Sequence, residues 1–522
     1  MERTITMMTR SAMKNYRWSI LWLASFLIGC TAFMGAQDLA SFEKRITVKT
    51  LDNGLTVIVC ERPEAPVFSF FTHVDVGSDR EVPGITGLAH MFEHMAFKGT
   101  DKIGTSDFAN EKIALENVER AYQAYDRERR QEVGRDDKKV AELEKAWKDA
   151  MTAAQKYVVE NQFDEIVEQN GGEGVNAFTS NEETGYHYSL PSNLVELWAY
   201  LESNRFLHPV LREFYKEREV VHEELRLRES NPFGRLFDQF TATAYIAHPY
   251  GHPVEGWPSD LESFSMTDAQ AYYKKYYVPS NMIVTLVGDV KADEVMPVME
   301  KYFGRLPAGP KPEPLRTVEP PQYAERIVLI HEATQPIFIE GYHKPSAKDK
   351  DDAVYDALQD LLSNGRTSRL YRSLVRDKKI AADSGGWNGY PGIKYPNMFV
   401  FYAISTPGHT PDETRDAVHA EIERLKTEDI SDDELLMIKT RAKANLLRQL
   451  GDNQGLANQL GTAQSLFGDW REIFRHVDKI EKVTKADIRR VANQTFVESN
   501  RTVAMIESTH LATAPAAAKE PK

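Results

Sequence analysis

The chain has 522 residues, of which 42% are hydrophobic and 27% charged, with a formal net charge of −14. That length exceeds one compact core and implies several domains, and the acidic balance excludes nucleic acid as the main partner, because phosphate binding needs a basic face. Its two cysteines, Cys30 and Cys60, exclude a disulfide framework and a four-cysteine zinc site.

Residues 1–36 read as an export signal. Arg3, Arg10, Lys14 and Arg17 precede an apolar run from Trp18 to Gly29, which is short for a bilayer span. Cleavage after Ala36 fits these residues. So does a lipobox-like Leu27-Ile28-Gly29-Cys30, which would leave a lipidated Cys30; an uncleaved anchor is the third alternative. All three place the body outside the cytoplasm, in a bacterial periplasm, and touching a membrane only through that N-terminal lipid or anchor.

The body starts near Phe42. RITVKTLDNGLTVIVCERP (45–63) predicts a hairpin turning at Asn53-Gly54, with Cys60 as a buried small hydrophobe, and PVFSFFTHVDVGS (66–78) a further strand. Gly84 to Met95 has helical spacing, broken at Gly99. Residues 110–167, rich in Ala, Glu, Lys and Arg, predict two long amphipathic helices folded back near Gly134. GVNAFTSNEETGYHYSLP (174–191) returns to strand composition, 193–228 reads as helix broken at His208-Pro209, 282–290 as a buried strand and 296–303 as a closing helix. Six prolines within 305–325 mark a linker. Beyond it the order strand, strand, helix recurs, which predicts an internal duplication. The expected fold is α+β: two homologous α/β-sandwich halves, 42–304 and 326–510, each an antiparallel-rich sheet packed with helices. A helical hairpin is inserted in the first half, and 511–522 form a disordered tail. The second half's equivalent of the 84–95 helix carries Asp356 and Asp360 but no histidine, so any metal site is expected in the first half.

The chemistry centres on HMFEH, His90 to His94. On a helix, positions i and i+4 share a face, so two imidazoles there can hold one zinc ion, with Glu93 beside it as a base for the water that zinc activates. This is the inverted order H-x-x-E-H. Alone the pattern fixes three residues and is weakly specific. A catalytic zinc needs a third protein ligand. Glu217 and Glu224 stand seven residues apart, two helical turns, and face one side; Glu224 as ligand and Glu217 as its supporting acid would fit.

Four blocks in order give the chain a specific resemblance: GLAHMFEHMAFKGT (87–100), VNAFTSNEETGYHY (175–188), LHPVLREFYKEREVVHEEL (207–225), and HPYGHPVEGWPSDLESFS with the following segment to residue 290. The chain resembles the pitrilysin-type inverzincin metallopeptidases, the family of mitochondrial processing peptidase and insulin-degrading enzyme, from about residue 45 to 510. The resemblance implies one zinc ion per chain held by His90, His94 and Glu224, with Glu93 as the base and Glu217 steadying the site. It also implies an edge strand at Asn176, Ala177 and Phe178 that receives an extended peptide or unfolded polypeptide by β-augmentation.

Two features depart from the family. His94 and Glu224 lie further apart than usual, and the excess falls in 110–167, read as an inserted arm. The family's second half also offers an Arg and a Tyr seven residues apart. Here Arg376 holds the arginine position as a substrate contact, but Asp383 (or Ala382) holds that of the tyrosine. Family members of this length pair to enclose a chamber. The chain is therefore expected as a homodimer, or as a heterodimer with a related chain carrying the Arg/Tyr pair. Against a zinc endopeptidase stand a non-catalytic peptide-binding or scaffold subunit on the same fold and a purely structural zinc site, neither of which needs Glu93; manganese or cobalt would fit the same ligands.

Overall fold

In a computed structural model of the protein, residues 39–509 are described. The export signal, the lipobox at Cys30 and the 511–522 tail lie outside them. Among the described residues no helix is long and apolar enough to cross a membrane. A small N-terminal unit ends at Thr47, with α1 (Leu39–Glu43) and the start of β1 (Ile46–Thr50); the second unit starts at Val48 and holds both halves.

The first half is built on β2 (Thr56–Glu61), β3 (Val67–Val74), β4 (Glu173–Thr179), β5 (Thr184–Pro191) and β6 (Met282–Gly288). The sheet order is β1-β2-β6-β3-β5-β4. β2 and β6 run parallel, while β6–β3, β3–β5 and β5–β4 are antiparallel. The Asn53-Gly54 turn forms as expected, with Gly54 at φ +96° and Leu51 N–H donating to Leu55 O at 2.8 Å. Side chains alternate across the strands. Phe68, Phe70, Val74, Tyr186, Tyr188 and Leu190 enter one core with the helices. Those helices are α2 (Leu88–Met95), α3 (Phe108–Arg129), α4 (Asp137–Gln155), α5 (Gln162–Gln169), α6 (Val195–Leu207), α7 (Phe214–Ser230), α8 (Pro232–Ala244), α9 (Pro258–Leu261), α10 (Met266–Tyr276) and α11 (Ala292–Tyr302).

After the irregular 307–325 stretch come β7 (Arg326–Glu332), β8 (Ile337–Lys344), β9 (Ala381–Tyr390), β10 (Asn397–Ser405) and β11 (Arg501–Ser508), in the order β7-β11-β8-β10-β9. Again one pair, β7–β11, is parallel and the rest are antiparallel. Strand for strand this repeats β2-β6-β3-β5-β4; only β1 has no counterpart. The helices α12 (Asp352–Ser363), α13 (Pro411–Thr427), α14 (Asp432–Gln449), α15 (Asn453–Phe467), α16 (Glu472–Glu481) and α17 (Lys485–Thr495) recur in the same succession. On this alignment α12 takes the slot of α2, and α15 that of α8.

Those last two helices are exchanged between the halves. α15 lies on the first sheet, where a Cβ on Gly461 would come within 3.0 Å of the Phe71 ring, and Gln454 donates to Phe70 O at 3.0 Å. α8 covers the second sheet, packing Leu236, Phe240 and Ala244 with Ile339, Met398, Val400 and Ala504. The two sheets thus share cores contributed by the opposite half.

The 110–167 segment contains the two long helices, α3 and α4, and in addition the short α5. It is more than a surface decoration. Glu111 of α3 makes a fully buried bidentate pair with Arg212, one contact at 2.8 Å, and the Tyr122 ring packs, tilted, with its centroid 4.3 Å from that of Tyr215 on α7. Arg218 of α7 lies over both rings and donates to the Tyr122 hydroxyl at 2.8 Å. The arm is therefore anchored on the back of α7.

Phe240 is fully buried in the core shared between halves, so Phe240→Ala is expected to cost about 3–5 kcal/mol, read as a lower urea midpoint with the secondary structure of the native state retained.

Candidate metal centre

α2 is seated by its apolar face. Leu88, Met91, Phe92 and Met95 are buried, with Phe92 stacked on Tyr272 at 5.9 Å between centroids. At roughly 100° per residue, this leaves His90, Glu93 and His94 turned together out of the core. The helix start is built by backbone and charge. Gly87 has φ +96°, and a Cβ there would lie 2.4 Å from the Glu255 carbonyl oxygen, so only glycine fits. Glu81, buried, accepts from the N–H groups of Gly87 (2.8 Å) and Ala89 (2.7 Å). Those first amides have no partner inside the helix, and a carboxylate suits the positive end of its dipole. Burial pushes the Glu81 pKa well up, against these two bonds.

α7 crosses α2 and brings both glutamates on one side. His94 Nε2 stands 3.5 Å from Glu224 Oε2, and His90 Nε2 3.8 Å from the same oxygen. Three donors around a tetrahedral zinc at 2.0–2.1 Å would stand about 3.4 Å apart. Two imidazole nitrogens and one carboxylate oxygen converging without hydrogen bonds among themselves therefore fit that ion. Glu93 Oε2 lies 3.9 Å from His90 Nε2, outside the triad but beside it. The Glu224 side chain is 43% exposed, which leaves an approach from solvent.

Behind the triad, Glu217 Oε2 stands 3.5 Å from His94 Nδ1 and also pairs with Lys98, which reaches Glu213 at 3.2 Å. This chain fixes the His94 ring so that Nε2 faces Glu224. Charge states follow. Burial, assisted by the neighbouring His94, pulls the His90 pKa down to about 4, so that imidazole is neutral. For His94 burial is outweighed by Glu217, Glu224 and Glu93, and the pKa rises; an arriving cation would displace that proton. For Glu217 burial is outweighed by His94 and Lys98, and its pKa falls. Burial raises the pKa of Glu93, opposed by the polar groups of nearby Thr179 at the end of β4 and by His94.

β4 is the outer strand of the sheet. Asn176, Ala177 and Phe178 pair with His187, Tyr186 and Gly185 of β5, so their other edge is open. Arg376 does not join the cluster. It lies on a π-helical turn (Tyr371–Asp377), 59% exposed, with its guanidinium on Asp377 at 2.6 and 3.0 Å. Asp383 is on β9, but it accepts from the Tyr402 hydroxyl of β10 at 2.8 Å. A phenol therefore stands one strand away from the position where the sequence lacks one. Burial and that bond raise the Tyr402 pKa to about 12.

Glu81, Lys98 and Thr179 were not singled out from the sequence. Lys98 lies one turn beyond His94 and had a local signal; Glu81 and Thr179 had none beyond proximity to α2 and to NAF. The second half also holds a grouping of potential metal ligands. The fold brings His476 of α16 against Asp352 and Asp356 of α12, the second grouping of potential ligands among the described residues.

Comparison with known proteins identifies the family and the fold. Residues 56–129 and 150–256 match the model of the insulinase family, peptidase family M16, and residues 263–442 that of the M16 peptidase inactive domain. The unmatched stretch between the first two segments, 130–149, is the loop after α3 together with most of α4. The zinc protease PqqE of Helicobacter pylori is 28% identical over 504 residues, covering 94% of this chain and 98% of that protein. A solved protease from Helicobacter pylori superposes with a TM-score of 0.73 at 26% identity, over 88% of this chain and 99% of that one. The periplasmic protease PqqL of Escherichia coli shares the fold, with a TM-score of 0.67 at 18% identity over 90% of this chain and 48% of PqqL.

Replacing Glu217 by Ala removes the carboxylate behind His94 and should weaken zinc binding by about 10- to 100-fold, measured by competition with a chromogenic chelator.

Proposed function

Given that this chain belongs to the M16 family of zinc metallopeptidases, we propose that it is an exported endopeptidase that hydrolyses oligopeptides or unfolded polypeptides. The observation that carries this reading is the convergence of His90, His94 and Glu224 on one point with Glu93 alongside. When bound, zinc supplies Lewis acidity, which lowers the pKa of water and polarises a peptide carbonyl. Glu93 takes the proton of the attacking water and delivers it to the leaving amine. Its pKa is raised, mainly by burial, which is the direction that helps a carboxylate hold as well as release a proton.

Asn176, Ala177 and Phe178 bind the peptide backbone along the open edge of β4. Because Thr179, the next residue, is near enough to the Glu93 carboxyl to act on its pKa, a strand added there runs past the base. Asn176 and Phe178 share one face of β4 and Ala177 the other, which allows alternate side chains of the substrate to be read. Recognition through backbone bonds favours extended chains over folded ones. The basic and apolar N-terminal residues support export, and PqqL of Escherichia coli, which shares the fold, is a periplasmic protease.

The chain acts in a pair, as a homodimer or with a related chain carrying an Arg/Tyr pair. Support comes from its span of 48% of PqqL and from Arg376, which is exposed and pairs with Asp377 away from the ligand cluster. The Tyr402 hydroxyl beside Asp383 favours the homodimer, since a phenol is present near the expected position.

Glu93→Gln should retain zinc while cleavage of an unstructured peptide pool, followed by mass spectrometry, falls by about 10²- to 10⁴-fold. A fully active Glu93→Gln chain would rule out this role, and a zinc-loaded wild type that cleaves nothing would favour the scaffold reading or a missing partner.

A further inference from the structure

The duplicated topology places α12 where the first half has α2, and β9 where it has β4. α12 carries Asp352 and Asp356 at i and i+4, the spacing of His90 and His94. Asp356 Oδ2 meets His476 Nε2 of α16 at 2.5 Å. Asn388 of β9 donates its side-chain N–H to Asp356 Oδ1 at 2.8 Å, and its own Oδ1 is buried with no hydrogen-bond partner. One oxygen of each aspartate and one His476 nitrogen all lie within 4.8 Å of one another. We propose that Asp352, Asp356 and His476 form a second cation site, in the inactive half, for a first-row divalent transition metal.

The donor chemistry defines the ion. Two hard carboxylate oxygens with one borderline imidazole suit Zn²⁺ or Mn²⁺ better than Ca²⁺, which takes oxygens alone. Charge permits it. Lys344 Nζ, 3.4 Å from Asp352 Oδ1, offsets one carboxylate and is itself bonded to Pro345 O at 2.9 Å. With a neutral imidazole the cluster keeps one net negative charge. Asp360, one turn further on, is held by Arg441 at 3.3 Å and stays out. The ion would take the place of the proton shared by Asp356 and His476, so binding releases that proton. Access exists as well: the three ligands line a cavity of about 550 Å³ between α12, α14, α15 and α16, with room for waters to complete the shell. An ion here would clamp α12 to α16, and with them the wall of that cavity.

The test counts metal on the full chain. Protein stripped with chelator, reloaded with Zn²⁺ and desalted is assayed by inductively coupled plasma mass spectrometry, with folding checked by circular dichroism. Two ions per chain are expected in wild type, and one each in His94→Ala, Asp356→Asn and His476→Ala. His476→Ala serves should Asp356→Asn not fold. A single ion in wild type that disappears in His94→Ala overturns the proposal, and so do two ions persisting in both Asp356→Asn and His476→Ala.

Discussion

The candidate metal centre depends on the rotation of one short helix about its own axis. α2 is eight residues long, and a helix of that length has little stability of its own. What fixes its rotation is the burial of Phe92 against Tyr272, Tyr273 and Tyr277. Since neighbours on a helix differ by about 100°, seating Phe92 inward dictates that His90, Glu93 and His94 point out. Its start is fixed by two features that tolerate little: a backbone passing under the Glu255 carbonyl at Gly87, and the Glu81 carboxylate on the first amides. A slip of one residue would turn the histidines by about 100° and dissolve the triad.

The third ligand adds a long-range requirement. α7 must cross α2 with Glu217 and Glu224 facing it, and α7 is held from behind by the arm of α3 and α4. The aromatic cluster of Tyr122, Trp147 and Tyr215, its rings tilted or edge-on and Arg218 across them, occupies the face of α7 turned away from the candidate metal centre. The buried Glu111–Arg212 pair sits just before α7 begins. Breaking either partner of such a pair is costly, because the other charge is left buried. The arm is thus part of the scaffold that holds α7, and the family model matches all of α3 and α5 but not residues 130–149, which include most of α4.

Much of this was legible in the sequence because it is written in local period and punctuation. The Asn53-Gly54 hairpin, the buried strand at 282–288, the proline linker and the helices around His90 and Glu224 each follow from spacing within one element. Topology was legible only as a recurring order of elements. The exchange of α8 and α15 between the two halves was not, because both helices are ordinary amphipathic segments whose partner sheet lies far away in the chain. Glu81 escaped for a related reason: its partners are backbone amides, which have no letter in a sequence.

Tyr402 shows the limit most clearly. Aligned position by position, residue 383 is an aspartate and no phenol stands in register with Arg376. In the sheet, Asp383 lies opposite Ile404, and Tyr402 opposite Gly385. Side chains two residues apart share a face, so Tyr402 and Asp383 are diagonal neighbours. Gly385 presents no side chain, and a Cβ there would stand 3.1 Å from the Tyr402 ring. The ring can therefore lie over the glycine and bring its hydroxyl to Asp383. A functional group can move to an adjacent strand with its position in space nearly kept, provided the residue opposite is small. Such a transfer changes the residue number by about twenty and leaves no trace in motif spacing, which is why it is visible only once the strands are paired.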